Sequence, residues 1–311
     1  MNIIVIGCGV CGLSSAIQLL EIGHSVTIWA RDLPPHTTSN VAAAVWFPYK
    51  AYPEHLVTKW GQQTFEIFGT LANDPETGIV MKQCVMLLDQ PEPPPVWHTS
   101  VRAFRSATQP ELQGYTDGYA FETPVIEMPM YMNYLMRRFQ QAGGTVVQRE
   151  VHQLEEPLQA CDVVINCTGL GARALVHDTA MYPIRGQIVR VGALEGQHVV
   201  LDESSDWVTY IVPRLSDCIF GGTSDEGNWS LEPDPATASA IVARCQQLLP
   251  EGRNIEVLEH LVGLRPGRDQ VRLEREVVAA NKLVVHNYGH GGAGVTLSWG
   301  CAQEVAELVG V

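Results

Sequence analysis

The chain has 311 residues, 46% of them apolar, and a formal net charge of −14. That length can bury a sizeable core and accommodates two domains, or one large domain carrying an insertion. The acidic balance argues against nucleic acid and anionic membranes, which need basic surface, and no apolar run approaches the roughly 20 residues of a membrane-spanning helix.

Met1 to Ile6 runs into glycine and a helix rather than a cleavage site, so no signal peptide is expected. The last five residues are not a peroxisomal Ser-Lys-Leu signal, and a cytoplasmic protein is the expectation. The cysteines at 8, 11, 84, 161, 167, 218, 245 and 301 are scattered, as reduced core thiols would be. Cys8 and Cys11 have redox-pair spacing, but both sit in a glycine turn where small residues suit packing. No metal-ligand spacing stands out.

Residues 2–6 form a short apolar run, the mark of a buried parallel strand. Leu13, Ala16, Ile17 and Leu20 recur at helical spacing up to Gly23, and residues 25–30 make the next strand. The turn between first strand and helix reads Gly7-Cys8-Gly9-Val10-Cys11-Gly12, with Asp32 about 20 residues past it, a dinucleotide-binding pattern. Gly7 would allow the tight turn, Gly9 the approach of a pyrophosphate, and Gly12 close helix–strand packing. Asp32 would accept from a ribose hydroxyl. Arg31 beside it complicates the choice, because Arg often accompanies a 2′-phosphate. This loop alone leaves FAD and NAD(P) both open, and a glycine turn without ligand is the bland alternative.

Residues 32–39 and the proline-rich 90–96 are loops. A helix is predicted over 128–142 with Gly144 as its cap, then strands over 145–151 and 162–167, the latter leading into Thr168-Gly169-Leu170-Gly171. From 184 to 223 the pattern is β-rich, with strands at 187–191, 208–212 and 218–222, which predicts an antiparallel sheet. Residues 236–249 read as a helix and 277–285 as a strand. The chain then reaches His286-Asn287-Tyr288-Gly289-His290-Gly291-Gly292-Ala293-Gly294-Val295-Thr296 before an apolar helical run over 297–309. Dense glycines admit close backbone approach, and a helix starting there points its positive end at the ligand. A glycine loop at each end of one chain suggests that both grip one long cofactor. The fold class is α/β: a discontinuous Rossmann-like nucleotide-binding domain with a β-rich α+β domain inserted in two pieces.

Several stretches resemble, in order, the D-amino-acid oxidase family. They are Asp32-Leu33-Pro34 with Thr37-Thr38-Ser39-Asn40-Val41-Ala42-Ala43-Ala44-Val45-Trp46-Phe47-Pro48-Tyr49; Asn166-Cys167-Thr168-Gly169; Gly186-Gln187-Ile188; and Tyr210-Ile211-Val212-Pro213. Gly221-Gly222-Thr223 with Gly227-Asn228-Trp229, Gly263-Leu264-Arg265-Pro266 and the closing loop complete the set.

The resemblance implies non-covalent FAD and oxidation of a D-amino acid, with hydride transfer from Cα to flavin N5. The imino acid hydrolyses to a 2-oxo acid and ammonia, and O2 reoxidises the flavin to give H2O2. A homodimer is left open. The implied FAD-binding domain is 1–44, 126–180 and 277–311; the implied substrate domain is 45–125 and 181–276. Arg265 would clamp the substrate carboxylate in bidentate fashion, Tyr210 would add a hydroxyl bond, and the Gly292 carbonyl would meet the amine. No side-chain acid or base is then needed, and His290 is expected to be a satisfied loop histidine. Implied cofactor contacts are Gly7, Cys8, Gly9, Val10, Cys11, Gly12, Arg31, Asp32, Thr37, Thr38, Ser39, Ala43, Ala44, Val45, Val151, Thr168, Gly169, Gly291, Gly292, Gly294, Val295 and Thr296. Backbone amides from Gly292 to Thr296 would face the flavin N1–C2=O edge as an oxyanion hole does. Val45, Phe47, Tyr49 and Trp207 are candidate pocket walls, with plain core packing as the alternative.

The chain departs from the vertebrate members between Gln187 and Tyr210, where it is shorter and carries Asp206 in place of a lid tyrosine; a short lid relaxes gating. Leu201-Asp202-Glu203-Ser204-Ser205-Asp206-Trp207 holds three acids and no base, so neutral D-amino acids are expected over D-aspartate, with basic ones a further option. The alternatives are a glycine, sarcosine or D-aspartate oxidase, an NAD(P)-dependent dehydrogenase, and a non-catalytic dinucleotide sensor.

Overall fold

The computed structural model describes residues 1–202 and 208–310. Two sheets organise them. In the six-stranded sheet Asn2–Ile6 is central, pairing in parallel with Ser25–Ala30 on one side and Val163–Asn166 on the other. Thr145–Gln148 extends one flank; Lys282–Tyr288 extends the other and turns back as Arg272–Ala279, the antiparallel edge. Continuous apolar runs serve strands covered on both faces: Ile3, Val5, Val163, Ile165 and Val285 are all buried. The helices Val10–Glu21, Met128–Gln141 and Gly294–Gly310 share that core through Leu13, Ile17, Tyr131, Leu135 and Trp299.

The second sheet has nine strands. Tyr182–Gly192, Asp217–Gly221, Thr209–Pro213 and Val199–Asp202 run antiparallel in that spatial order. Val199–Asp202 joins Ile79–Leu88 in parallel, and Asp117–Ile126 and Arg102–Ser106 follow. Val257–Gly267 and the short Asp225–Glu226 both pair with Tyr182–Gly192. The helix Pro235–Gln247 covers one face with Ala238, Ile241 and Cys245.

Several local expectations shift. The strand predicted over 145–151 ends at Gln148, and the left-handed residue after the preceding helix is Gly143 (φ +92), not Gly144. The single strand predicted over 277–285 is a hairpin, Arg272–Ala279 with Lys282–Tyr288, so the domain boundary placed at 277 falls inside a strand. The last helix begins at Gly294 rather than 297. The three strands between 79 and 126 were not predicted. The apolar residues of Ile79–Leu88 and Asp117–Ile126 are too continuous for the alternation that marks a half-exposed strand, whereas Arg102–Ser106 is a short, largely exposed edge strand with only Ala103 and Phe104 apolar. Helix Glu54–Leu71, in the stretch assigned to the substrate domain, packs on the terminal helix beside the six-stranded sheet. A Cβ at Gly300 would overlap the Trp60 backbone there, and Trp60 Nε1 donates to Glu304 at 2.7 Å.

Candidate active site

A cavity of about 1580 Å³ is lined by residues of both sheets. It exceeds the roughly 300–1,000 Å³ of a pocket for one drug-sized ligand, which suits a long cofactor together with a substrate. Both glycine loops open into it.

The first loop follows the end of strand Asn2–Ile6. Gly7 has φ +109, and a Cβ there would sit 2.5 Å from the Cys167 carbonyl oxygen. A Cβ at Gly12 would overlap the Gly7 carbonyl. Both positions therefore require glycine for backbone proximity and not only for flexibility. The helix begins at Val10, whose amide donates to Ser39 Oγ at 3.0 Å. The Cys11 and Gly12 amides, like those of any first helical turn, lack intrahelical partners and suit an anion. Arg31 is paired with Asp32 at 2.7 Å and with Glu150 at 3.5 Å. Two carboxylates thus offset the one guanidinium, which weakens the case for a 2′-phosphate site.

The second loop lies beside the first. Cys11 Sγ donates to the Gly294 carbonyl at 3.5 Å, and Ser14 Oγ to that of Ser298 at 3.0 Å, so the two helix starts are tied together. Here the amides are partly committed. Gly291 N–H donates to Pro266 O at 2.9 Å, Gly292 N–H to Tyr49 O at 3.1 Å, and Ala293 N–H to His290 O at 2.9 Å. The expected row of amides from 292 to 296 therefore shortens to Gly294, Val295 and Thr296, the true first turn of the helix. Thr296 Oγ1 also clasps the Phe47 backbone, accepting from its amide at 3.1 Å and donating to its carbonyl at 2.9 Å.

Arg265 comes from strand Val257–Gly267. It lies 5.8 Å from the Tyr49 ring centroid and donates to the Thr223 carbonyl at 3.0 Å. A Cβ at Gly186 would overlap its guanidinium, and one at Gly221 would overlap the Tyr210 ring. These two glycines give both side chains room to lie flat against the sheet. Among the described residues no carboxylate is within ion-pair distance of Arg265, which lines the cavity. Burial raises the Tyr210 phenol above its ordinary range, and the Arg265 charge opposes that shift. Tyr210 therefore stays a neutral hydroxyl donor.

Every expected contact among the described residues lines this cavity: Gly7 to Gly12, Arg31, Asp32, Thr37, Thr38, Ser39, Ala43, Ala44, Val45, Val151, Thr168, Gly169, Gly291, Gly292, Gly294, Val295 and Thr296, with Phe47, Tyr49, Tyr210 and Arg265. Trp207 and Asp206 lie outside the described residues. Val45 and Phe47 both line the cavity and pack on a core cluster, so the two readings offered for them coexist. Gly186, Lys50, Ser224, Trp229 and Leu231 line it unforeseen as site residues. Gly186 was flagged only as part of a motif. Lys50 carries an ion pair to Glu226 at 2.6 Å, and no periodicity announces such a contact.

Two histidines stay neutral. Burial lowers His290 to about 4, with Nε2 against Asn287 Oδ1 at 2.9 Å. Burial also lowers His286. Cys8 and Cys11 are free thiols that burial raises to about 12, so they are not redox-active thiolates near neutral pH. Among the described residues no cluster of three His, Cys, Asp or Glu is placed to hold a metal, and no helix is long and apolar enough to cross a membrane.

Comparison with known proteins agrees with this geometry. The family model described as FAD dependent oxidoreductase matches residues 2–308. A D-amino-acid oxidase of Rubrobacter xylanophilus is 54% identical over 99% of this chain and 95% of its own. One from Dictyostelium discoideum is 42% identical over 99% and 91%. Among solved structures, glycine oxidase from Geobacillus kaustophilus superposes with a TM-score of 0.84 at 18% identity, covering 99% of this chain and 94% of that one. With a nucleotide loop, a second helix start and the Arg265 guanidinium in one cavity, and with relatives matching end to end, the chain belongs to the DAO family of FAD-dependent oxidoreductases.

Proposed function

We propose that this protein is an FAD-dependent D-amino-acid oxidase that acts on neutral side chains. The observation that carries the substrate class is Arg265: a guanidinium with no carboxylate partner among the described residues, laid flat by Gly186 and held by the Thr223 carbonyl, in the cavity that also receives both helix starts. A planar fork of this kind suits a carboxylate in bidentate geometry. Tyr210 adds a neutral hydroxyl donor, and the Gly292 carbonyl is our candidate acceptor for the substrate amine.

When bound, FAD supplies the acceptor for the α-hydrogen with its electron pair and returns those electrons to O2. The chain's own residues bind and orient. The backbone at Gly9 admits the pyrophosphate, in a loop whose shape Gly7 and Gly12 set by close packing. The Cys11 and Gly12 amides stabilise its charge, and the Gly294, Val295 and Thr296 amides stabilise charge at the flavin's carbonyl edge. Neutral His290 and His286 supply no acid or base. The amine must be neutral for its lone pair to assist loss of the α-hydrogen, and a backbone carbonyl accepts from it without titrating. In our domain division, residues 1–44, 126–180 and 277–311 bind FAD, with the boundary at 277 moved to 272 so that the edge hairpin stays whole.

Asp202 lines the cavity and is buried. Its carboxylate accepts from the Tyr115 hydroxyl at 3.0 Å, so the expected bias against acidic substrates rests on the acid-rich composition of residues 201–207. Oxygen uptake with D-alanine, D-valine and D-methionine should exceed that with D-aspartate, glycine and sarcosine, with H2O2 formed stoichiometrically. Faster uptake with D-aspartate or glycine overturns the specificity, and no uptake with any D-amino acid overturns the activity.

A further inference from the structure

Behind the cavity wall, one row of side chains joins the segments carrying the two glycine loops. Asn166 ends strand Val163–Asn166 and is buried. Its Oδ1 accepts from the Thr168 amide at 3.3 Å and from the Thr168 hydroxyl at 2.7 Å. A backbone N–H only donates, so the atom facing it must be the amide oxygen. Asn166 Nδ2 is then left facing His286 Nδ1 at 3.3 Å. That NH2 group also only donates, and so requires an unprotonated ring nitrogen. The ring proton consequently sits on Nε2, which donates to Glu276 Oε2 at 2.9 Å. Partner chemistry thus fixes both the charge and the tautomer of a fully buried imidazole.

The charged groups around His286 come from the neighbouring edge strand. Glu276, Glu274 and Arg272 face it from Arg272–Ala279. The Tyr288 ring stands edge-on to it at 5.7 Å, and the Tyr288 hydroxyl donates to Asp178 at 2.9 Å. The two glutamates favour a proton on the ring; burial and Arg272 oppose it.

The other end of the row is the cofactor wall. Thr168 lines the cavity, and the preceding carbonyl, that of Cys167, is the one against which Gly7 is packed. A displacement of the 167–169 turn passes directly to the dinucleotide loop.

We propose that His286 is a positioning residue for FAD: its neutral ring, acting through Asn166, holds the Thr168 turn against the Gly7 loop, and protonation at Nδ1 releases it. A proton there sets two donors against each other 3.3 Å apart. Asn166 must turn or withdraw, and Thr168 loses its acceptor. This rests on the FAD reading above. A protein that holds no flavin sinks both, whereas a flavoprotein whose FAD retention ignores pH sinks only this inference.

The test is dilution of the holoenzyme between roughly pH 8 and about pH 5, with released FAD read by its fluorescence. The wild-type dissociation constant should be flat at high pH and should then climb towards about tenfold per pH unit, the slope of one linked proton. His286→Asn offers an acceptor near the place of Nδ1 and cannot titrate. It should hold FAD at high pH and lose the slope. His286→Leu, with no acceptor, should weaken FAD on the order of tenfold at every pH, without a slope. A wild-type profile that is flat throughout overturns the proposal and needs no variant. A His286→Asn enzyme that keeps the wild-type slope also overturns it.

Discussion

The two glycine-rich helix starts look alike in sequence and are built for different work. At Gly7–Gly12 the glycines bring backbone against backbone: Gly12 onto the Gly7 carbonyl, and Gly7 onto Cys167. At Gly289–Gly294 the loop is stitched to the stretch around Tyr49. A Cβ at Gly291 would overlap the Lys50 carbonyl, and one at Gly292 would lie 2.5 Å from the Tyr49 ring. The first loop can serve a single ligand. The second touches the aromatic ring over which Arg265 is placed, so under the proposed function it would meet both cofactor and substrate. Glycine density alone does not separate these two uses; what each absent side chain would strike does.

Substitutions should divide along the same line. The largest loss is expected for Arg265→Met. Truncating one partner of a buried charge pair costs about 2–5 kcal/mol, or roughly 30- to several thousandfold in kcat/KM, while flavin content should stay normal. Loss of flavin in this variant would merge the two regions. Gly12→Ala should do the reverse. Its methyl meets rigid backbone, and overpacking of about 1–3 kcal/mol should leave much of the protein without FAD after gel filtration. A fully yellow G12A protein would remove the packing argument. Gly292→Ala presses on Tyr49, a side chain that can move. We expect KM to rise on the order of tenfold with FAD retained, and a normal KM would detach this loop from the substrate.

Titration separates the loops as well. His290 binds its proton more weakly folded, at about 4, than unfolded, at the ordinary imidazole value of 6.5. A depressed folded value means that the stabilisation is present above about 6.5 and fades as pH falls towards about 4. Melting temperature should therefore drop by a few degrees between about pH 7 and pH 5.5, corresponding to about 1 kcal/mol, and the drop should be smaller in His290→Asn. The first loop offers no such handle, because its thiols titrate at about 12. The smallest effect is expected for Tyr210→Phe. One neutral hydrogen bond is worth about 0.5–1.5 kcal/mol, a two- to tenfold loss in kcat/KM with flavin unaffected.

Much of this was legible in the chain itself. The first βαβ unit was clear because strand, G-x-G-x-x-G and helix fall in one short run, each supporting the others. Arg265, Tyr210 and Gly292 were found only through resemblance, since they lie on separate strands and loops that periodicity cannot bring together. The strands Ile79–Leu88 and Asp117–Ile126 escaped because burial on both faces erases alternation, and Arg102–Ser106 because a short exposed edge strand of mostly polar residues never shows it. The amide count at 292–296 was overestimated because the sequence does not reveal that the Tyr49 and His290 carbonyls take up two of those donors. Gly186 and Gly221 gained a reason only once Arg265 and Tyr210 were seen lying across them.

The most direct test of two helix starts sharing one flavin beside Arg265 is anaerobic reduction. The purified protein should be yellow, and its flavin absorbance should bleach on adding D-alanine or D-methionine and persist with the L-enantiomers. A colourless protein that binds NADH, or bleaching by the L-enantiomers alone, would contradict the account.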